Sequence, residues 1–414
     1  MLKKISNILF PFYKSKEIKK IFNILEKNEA TNKVVAMFVG GCVRKYILQE
    51  EIDDIDMATI FTTNELKEKF KNTEVRVLET GIKHGTVTLL INDSKFEITT
   101  LRKDIQTDGR HAEIKYTDSW EEDSKRRDFT INAIYLDKKG KIFDPQSGVI
   151  DLKNKDVNFI GEPTKRLEED YLRIIRFLRF ALQYDSVTDQ KTIEALVVNL
   201  NGINNLSKER ILDELFKIIQ LKNFKNILKH KKKKNIFSLI FPELKYLDRI
   251  ENISLLSNTK IFKLDLNLIL AVLLIEKSNN HEYFCFKYKV SNLIKEDLDF
   301  FAKNYLSFQS DNNYFKKDLK KNIYLFGKIK IKRFVAFLFL TKKKFLEKEL
   351  QKYLHEIESI NIPKFPYNGN FLIKKGFKEG KKIGSIIKKL EEKWIENNYS
   401  LSEESVHSII GKIK

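Results

Sequence analysis

The sequence predicts an α+β fold, in which a small sheet domain is followed by a region built only of helices. Eight of the 15 glycines lie before residue 165, and none occurs between Gly202 and Gly327. Frequent glycine is typical of strands and tight turns. From Leu167 onward, apolar residues recur at three- and four-residue spacing, which is the period of an amphipathic helix. The sheet is therefore expected in front and the helices behind.

Three parts of the front region predict strands. The apolar run Val34–Val39 ends at two glycines, as expected for a buried strand that meets a turn. Thr86–Ile91 and Phe96–Thr100 flank an Asn-Asp pair and predict a hairpin. Residues 134–136 and 141–144 predict a second hairpin around a glycine. The basic N-terminal segment, which runs through residue 22, predicts an amphipathic first helix.

Length and composition limit the classes of protein. The 414 residues suggest more than one domain, and no apolar run approaches the roughly 18 residues of a membrane span. Cys42 and Cys285 are the only cysteines, too few for a disulfide framework or a zinc site, and they suggest a reducing cytoplasm. The six histidines are scattered without metal-ligand spacing.

The positive charge lies in the back of the chain. The net charge is +20, and residues 1–150 hold 26 Lys and Arg against 24 Asp and Glu, so nearly all of the excess follows residue 150. This asymmetry favours a polyanion such as nucleic acid bound behind a catalytic front half. A generally lysine-rich composition is the alternative. The lysine run at 230–235 is open to two interpretations, a solvated turn or an RNA contact.

Two aspartates in the segment DIDMA predict a metal site. Asp54 and Asp56 are separated by one residue, and on a strand such residues point to the same face. Converging carboxylates repel each other unless a cation lies between them, and oxygen ligands favour Mg²⁺. Glu97, between apolar neighbours on a predicted strand, is a candidate third ligand. Its alternative is a surface position on an edge strand.

Two further segments predict phosphate binding. Gly40 and Gly41 at a strand end can bring backbone N–H groups close to a phosphate, and Arg44 can donate to its oxygens, although the pair could also be only a tight turn. In RRDFTINA, residues 126–133, Arg127 could hold a triphosphate and Asp128 a ribose hydroxyl. The alternative there is a surface ion pair with the acidic residues 121–123.

Six motifs together resemble the class II tRNA nucleotidyltransferases. These CCA-adding enzymes belong to a superfamily that also includes bacterial poly(A) polymerases. The motifs occur in order over about residues 34–220: GGCVR with DIDMAT, FEITTLR, DGRHAEI, RRDFTINA, EEDYLRIIRFLRF and LSKERILDEL. The terminal segment GNFLIKKGFKEGKKIGSIIKKLEEKW resembles the tail of the CCA-adding family.

The resemblance implies a fold, an activity and a set of site residues. It implies a polymerase β-like nucleotidyltransferase head (1–150), neck helices (151–220), a helical body (221–360) and a tRNA-binding tail (361–414). It also implies that Asp54 and Asp56 bind Mg²⁺, with Glu97 as the third carboxylate. The nucleotide-binding positions that it implies are Gly41, Arg44, Arg127, Asp170, Arg173, Arg176 and Arg179, to which the residue arguments above add Gly40 and Asp128. Lys45 and Gln49 depart from the family pattern, which has Asp and Gly there.

A physical argument supports the base-reading role that the resemblance implies for Asp170 and Arg173. Cytosine and adenine each present an amino donor beside a ring-nitrogen acceptor, which a carboxylate and an arginine can match. Uracil and guanine present the opposite order, and unpaired groups cost roughly 1–3 kcal/mol each. Three residues apart on a helix, the two side chains would share a face. An intrahelical salt bridge is the alternative.

The expected activity is template-independent addition of CCA to the 3′ end of tRNA, from CTP and ATP, with release of pyrophosphate. A flexible element at Asp104–Tyr116, with Arg110 as its candidate lever, favours full CCA addition. The alternatives are a poly(A) polymerase, an enzyme adding only A, and a catalytically silent RNA-binding protein. Gly376, Gly380 and Gly384 in the tail indicate either close helix packing or contacts with RNA phosphates.

Overall fold

The computed structural model describes residues 11–31, 33–107, 112–259, 261–276, 278–310, 315, 318–344, 346–378 and 380–411. The chain divides into two compact units. The first contains residues up to 245 together with 286–289, and the second contains residues 246–285 and those from 290 onward. The described strands all lie in the first unit, and the second unit is helical, so the α+β class is confirmed. The finer division into head, neck, body and tail stays a prediction.

The described residues form nine strands: β1 (Ala36–Val39), β2 (Asp56–Thr59), β3 (Arg76–Gly81), β4 (Thr86–Ile91), β5 (Ser94–Thr100), β6 (Arg102–Thr107), β7 (Ala112–Tyr116), β8 (Tyr135–Leu136) and β9 (Ile142–Phe143). The α-helices of the first unit are α1 (Lys16–Glu26), α2 (Gly41–Ile47), α3 (Thr63–Phe70), α4 (Trp120–Arg126), α5 (Gly148–Asn154), α6 (Pro163–Glu169), α7 (Leu172–Gln183), α8 (Gln190–Val198), α9 (Lys208–Ile219) and α10 (Lys231–Ile240).

The helices that follow are α11 (Ile250–Ser257), α12 (Leu266–Leu274), α13 (Asn280–Tyr288), α14 (Asn292–Ser310), α15 (Leu319–Thr341), α16 (Glu347–Ser359), α17 (Gly369–Lys374), α18 (Lys381–Glu396) and α19 (Glu403–Gly411). The backbone of α15 is interrupted at Gly327, whose φ is 83°. No helix within the described ranges is long and apolar enough to cross a membrane.

The main sheet has seven strands in the order β3-β4-β5-β2-β1-β8-β9. Only the β2–β5 pair is parallel among these neighbours. Both predicted hairpins are confirmed, as β4–β5 and β8–β9. All four residues of β1 are buried, as expected for an apolar strand in the middle of a covered sheet. Because β5 lies between β4 and β2, Glu97 is not on an edge strand.

Residues 1–10 of the predicted N-terminal helix lie outside the described part of the chain. Within the described residues it starts at Lys16, after the Ser15 side chain accepts a hydrogen bond from the Ile18 N–H. The residues buried on its inner face follow helical spacing: Ile18, Ile21, Phe22 and Leu25. The amphipathic pattern therefore predicted the helix correctly, and the capping serine fixes its start.

The lysine run at 230–235 is not a solvated turn, because Lys231–Ile240 form helix α10. Lys233 is only 3% exposed and donates to the backbone oxygens of Ala181 and Ser186. The Ala181 carbonyl lies in the last turn of α7, and Ser186 lies just beyond the end of that helix. Burial lowers the pKa of the Lys233 ammonium. One lysine of the run thus joins two helices, which the charge pattern alone did not predict.

The tail glycines do not serve close helix packing. A Cβ placed on Gly376, Gly380 or Gly384 would meet no atom within 4 Å. Gly376 has φ 91° and ends α17, where the Phe377 N–H donates to Leu372 O and the Gly376 N–H donates to Ile373 O. This is a Schellman motif, which requires a left-handed residue at that position. The alternative of an RNA contact stays a prediction.

Candidate active site

A polar cavity of about 910 Å³ lies in the first unit. Its lining combines the start of α2, the segment before β2, the end of α4 and one side of α7 and α9. Nine cationic and five acidic side chains line it, so the cavity suits an anionic ligand. The predicted site residues that line it are Gly40, Gly41, Arg44, Asp54, Asp56, Arg127, Asp128, Asp170, Arg173, Arg176 and Arg179.

Asp54 and Asp56 both line the cavity, but they are not on one strand as expected. Strand β2 begins at Asp56, and Asp54 precedes it. The carboxylate of Asp53 accepts from the Asp54 N–H at 3.0 Å, and a local side-chain bond of this kind competes with strand pairing. Asp53 is itself paired with Lys45, one of the two departures from the family pattern.

Glu97 lies beside Asp56 on the neighbouring strand. The two residues are register partners in the parallel β2–β5 pair, so their side chains leave the sheet on the same face. The neighbours of Glu97, Phe96 and Ile98, point to the buried face, whereas Glu97 is exposed. Glu97 is therefore next to the carboxylate pair, although it does not line the cavity.

The pKa of the Asp56 carboxyl reflects the acids that lie near it. Burial, and then the negative charges of Glu97 and Asp54, raise the pKa of the Asp56 carboxyl to about 6. Within the described part of the chain, none of the three acids forms an ion pair with a Lys or Arg. Carboxylates that repel one another without a cationic partner are a donor set suited to a divalent metal ion.

The fit to a metal rests on the aspartate pair. Across the residues that the structure describes, no three His, Cys, Asp or Glu side chains are arranged to hold one metal ion. The two cavity aspartates supply hard oxygen donors, and Glu97 lies one strand away. The residues present therefore fit a divalent cation held by Asp54 and Asp56. The role of Glu97 as a third ligand stays a prediction.

The Gly-Gly turn serves two purposes. Gly40 has φ 76°, a left-handed conformation that favours glycine, and a Cβ there would lie 3.5 Å from Oδ2 of Asp56. Gly41 starts helix α2, and a Cβ on it would contact nothing within 4 Å. Gly40 thus makes the tight turn, and Gly41 leaves the start of the helix open to the cavity.

Arg44 is held by neutral groups. Its Nε donates to the Tyr184 hydroxyl at 3.0 Å, its Nη1 donates to Oδ1 of Asn132, and its guanidinium lies 4.8 Å from the centre of the Phe180 ring. None of the described carboxylates forms a salt bridge with it. The positive charge of Arg44 is consequently available to a phosphate group in the cavity.

Arg127 is engaged by a buried carboxylate. It donates to Asp123 at 3.0 and 3.1 Å and to the Tyr135 hydroxyl at 3.0 Å, and the Asp123 side chain is 0% exposed. Burial alone would raise the pKa of Asp123, but the guanidinium groups of Arg127 and Arg126 and the Tyr135 hydroxyl lower it to about 2. The expected ion pair with residues 121–123 exists, but it lies in the interior rather than on the surface.

Asp128 is enclosed by its own partners. Its Oδ1 accepts from the Phe129 N–H and from Nδ2 of Asn132, and its Oδ2 accepts from Arg176 at 2.7 Å. Burial opposes ionisation, but the nearby Arg176 lowers the pKa of this carboxyl. The carboxylate fills most of its accepting positions within the protein. Its contact with a ribose hydroxyl stays a prediction.

Asp170 and Arg173 do not share one helix and do not bind each other. Asp170 lies between α6 and α7, where its Oδ1 accepts from the Leu172 N–H at 3.1 Å. Its Oδ2 accepts from Arg210 at 2.6 Å. Arg173 instead donates to Glu169. The expected shared helix face is wrong, because the Asp170 side chain binds the backbone where α7 begins. The intrahelical salt bridge between these two residues is excluded as well.

Arg176 and Arg179 share a buried counter-ion from α9. Glu214, whose side chain is 2% exposed, accepts from Arg179 Nε at 2.7 Å and lies 3.4 Å from Nη1 of Arg176. Both guanidinium groups also lie over the Phe180 ring, at 5.8 Å for Arg176 and 4.1 Å for Arg179. The arginine side of the cavity is therefore fixed in place by its own neighbours.

The comparisons with known proteins identify the family. A model described as "Poly A polymerase head domain" matches residues 36–158, and one described as "Probable RNA and SrmB- binding site of polymerase A" matches residues 188–247. The chain is 33% identical over 409 residues to a human protein named "CCA tRNA nucleotidyltransferase 1, mitochondrial", covering 90% of this chain and 86% of the relative. This chain belongs to the CCA-adding enzyme family.

Two more similarities support this membership. A "CCA-adding enzyme" of Streptococcus thermophilus is 29% identical over 418 residues, covering 97% of this chain and 98% of the relative. In fold, the chain is similar to "Bacillus stearothermophilus CCA-adding enzyme in complex with CTP", with a TM-score of 0.69 at 20% identity, covering 96% and 98% of the two chains. The CCA-adding family consists of nucleotidyltransferases, and it implies a divalent metal.

Sequence reasoning missed several residues of this CCA-adding site. The missed residues bind predicted ones from distant parts of the sequence. Asn132 accepts from Arg44 across 88 residues, and Glu214 accepts from Arg179 across 35. Asn132 lies within the quoted RRDFTINA motif and Glu214 within LSKERILDEL, so the motifs themselves were a usable signal. Phe180 is the last residue of the quoted motif EEDYLRIIRFLRF, whereas Tyr184 lies outside every quoted motif. Arg110, the predicted lever, lies outside the described residues.

Proposed function

We propose that this chain adds CCA to the 3′ end of tRNA, using CTP and ATP and releasing pyrophosphate. The observation that carries the proposal is the cavity, in which two unpaired aspartates face a set of arginines fixed in place. Addition of one nucleotide joins the 3′-hydroxyl oxygen to the α-phosphorus, breaks the bond to the β-phosphate and displaces pyrophosphate. Family membership over 90% of the chain supports the same reaction.

The chain's own residues bind and orient the triphosphate. Backbone N–H groups at the Gly40-Gly41 turn and the free charge of Arg44 lie where they can hold phosphate oxygens. Arg127 lines the same cavity, but it is already bound to Asp123, so its contact with phosphate stays a proposal. No nucleophilic side chain is needed, since the attacking oxygen belongs to the tRNA.

Asp54 and Asp56 are proposed to hold Mg²⁺, with Glu97 beside them. When bound, the cation lowers the pKa of the attacking hydroxyl and neutralises the triphosphate. The raised pKa of Asp56 has a functional meaning in this setting, because its ionised form is costly until a cation arrives. Mg²⁺ is proposed as the cation because the donors are all oxygens, the ligands that hard divalent cations prefer.

Asp170 and Arg173 are proposed to read the base. Both line the cavity, Asp170 from the segment between α6 and α7 and Arg173 from α7. Asp170 keeps accepting positions for a base amino group, and Arg173 would donate to the ring nitrogen. The choice of cytosine and adenine over uracil and guanine would follow from this pair.

The test of the proposal uses tRNA that ends before CCA, incubated with one nucleotide at a time. CTP should be incorporated, and UTP and GTP should not. An enzyme that adds only A, or a poly(A) polymerase, would fail to incorporate CTP on this substrate. A catalytically silent RNA-binding protein would incorporate none of the four. A cytoplasmic location, inferred from the two cysteines, stays a prediction, and both cysteines are free and buried.

A further inference from the structure

Helix α9 carries most of the motif LSKERILDEL, which spans residues 206–215. In the first unit it packs against α7, and its charged residues contact groups that line the cavity. Glu214 binds Arg176 and Arg179, as described above. Arg210, one turn earlier on α9, binds Asp170. The two halves of this motif therefore act on different parts of the nucleotide site.

The position of the Asp170 carboxylate depends on Arg210. Asp170 lies outside the helices on either side of it, and within the described ranges two hydrogen bonds hold its side chain: from the Leu172 N–H at 3.1 Å and from Arg210 Nη2 at 2.6 Å. The Leu172 N–H fixes the position of Oδ1, and the ion pair with Arg210 fixes the rotation of the carboxylate about Oδ1. The guanidinium can do this because its donors have a rigid planar geometry.

Arg173 is held by a different set of groups. Its Nη1 donates to Glu169 Oε2 at 2.5 Å and to the Arg166 carbonyl at 2.7 Å. Arg166 in turn donates to the carbonyl oxygens of Arg126 and Arg127. The base-reading pair thus has two independent supports. One is helix α9, which holds the acceptor, and the other is helix α6, which holds the donor.

We propose that Arg210 is a positioning residue for base selection, holding the Asp170 carboxylate where it accepts from the amino group of cytosine or adenine. The inference rests on the proposed function. A carboxylate has about four accepting positions, and two are used by Leu172 and Arg210, so the remainder face the base. A carboxylate shifted along the base edge would instead accept from N3–H of uracil or N1–H of guanine. Loss of Arg210 therefore weakens the correct bases and admits the wrong ones.

Glu214, on the same helix, is the residue with which Arg210 is compared. It neutralises Arg176 and Arg179 and makes no contact with Asp170 or Arg173 among the described hydrogen bonds. Its loss changes the surroundings of Arg176 and Arg179, which are not part of the proposed base-reading pair. Glu214→Gln should therefore lower kcat/KM for all four nucleotides by a similar factor, whereas Arg210→Gln should change their ratios.

The experiment measures kcat/KM for CTP, UTP, ATP and GTP with Arg210→Gln, on tRNA ending before CCA and on tRNA ending in CC. The CTP-to-UTP and ATP-to-GTP ratios should each fall about tenfold, the effect of losing one well-placed charged hydrogen bond. Arg210→Lys, which keeps the charge without the planar fork, should restore part of the ratios. Lys208→Gln removes one charge from the same helix and should leave them unchanged.

Two results would overturn the proposal. One is unchanged CTP-to-UTP and ATP-to-GTP ratios, whether or not all four kcat/KM values fall together, and the other is an effect of Arg210→Gln that remains full in an Asp170→Asn background. If circular dichroism shows that Arg210→Gln does not fold, Arg210→Lys is used for the same comparison. The Arg210 side chain is 39% exposed. Failure of the unmodified protein to use CTP would refute the proposed function instead, and the ATP-to-GTP ratio would still decide the role of Arg210.

Discussion

The two sides of the cavity carry opposite charges, and the protein treats them differently. On one side, Asp54 and Asp56 have no ion-pair partner among the described residues, and their mutual repulsion contributes to the raised pKa of Asp56. On the other side, Arg127, Arg176 and Arg179 are bound by carboxylates that are themselves buried. The arginine side is thus already paired in the structure, whereas the carboxylates on the other side repel one another.

Arg44 is the informative exception. It lies on the arginine side, yet its contacts are a tyrosine hydroxyl, an asparagine carbonyl and an aromatic ring. A guanidinium held only by neutral groups keeps its charge for a ligand. We propose from the difference between Arg44 and the paired arginines that the paired groups shape the cavity and that Arg44 binds phosphate.

The largest expected effect comes from removing a carboxylate. Asp56→Asn should lower the rate of CTP incorporation on the order of a thousandfold or more, because the neutral amide no longer supports cation-assisted charge stabilisation. The measurement is single-turnover incorporation at saturating CTP. Glu51→Gln, an exposed acid in the same loop, is the matched control and should stay within about twofold. Retained activity in Asp56→Asn would refute the metal assignment.

On the arginine side the large effect should be on folding. Asp123→Asn removes the buried partner of Arg126 and Arg127, and breaking a buried pair costs about 3–5 kcal/mol of unfolding free energy. Urea unfolding at neutral pH measures this. The pKa of Asp123 is lowered in the folded state, so its contribution is present above the ordinary Asp pKa and is lost as pH falls toward 2. If Asp123→Asn and the unmodified protein have the same urea midpoint at neutral pH, the account is contradicted.

The carboxylate side should respond in the opposite direction. The folded-state pKa of Asp56 is raised to about 6, so its stabilising protonated form is present below the ordinary Asp pKa and is lost as pH rises through 6. Asp56→Asn should therefore stabilise the protein in EDTA at pH 7, by about 1–3 kcal/mol. The gain should vanish below about pH 4. If Asp56→Asn is instead less stable than the unmodified protein at pH 7, the Asp56 carboxylate is not repelled by Asp54 and Glu97.

The smallest effect concerns the placement of Arg44. Tyr184→Phe removes the hydroxyl that accepts from its Nε, a loss of about 0.5–1.5 kcal/mol. KM for CTP and for ATP should rise together by roughly 2–10-fold, with kcat little changed, since the triphosphate is common to both. Tyr171→Phe, on the same stretch of chain, is the control. A change confined to one nucleotide would assign Tyr184 to base recognition instead.

Much of the fold could be predicted because its signals are local. The buried run before Gly40 became β1, and the alternation around residues 92–93 became the β4–β5 hairpin. The parallel β2–β5 pairing was not predictable in this way, since it depends on which strands meet in space. It is nevertheless the feature that brings Glu97 beside Asp56.

The site was predicted as a set of residues, and its internal contacts were not. Motif matching named Asp170 and Arg173, yet their partners Arg210 and Glu169 had to be found in three dimensions. The helical spacing of 170 and 173 suggested a shared face, but a side-chain bond to the Leu172 N–H places Asp170 before the helix. A local sequence pattern does not show whether Asp170 makes such a side-chain bond before the helix or belongs to the helix itself.

The central claim is that this chain builds the sequence CCA without a nucleic-acid template, and product sequencing tests it most directly. A tRNA transcript ending before CCA is incubated with Mg²⁺ and all four nucleotides, and the 3′ ends are sequenced. The account predicts one dominant product extended by C, C and A, and with CTP alone a product extended by two C residues. A run of A residues, or addition of A without preceding C, would contradict it.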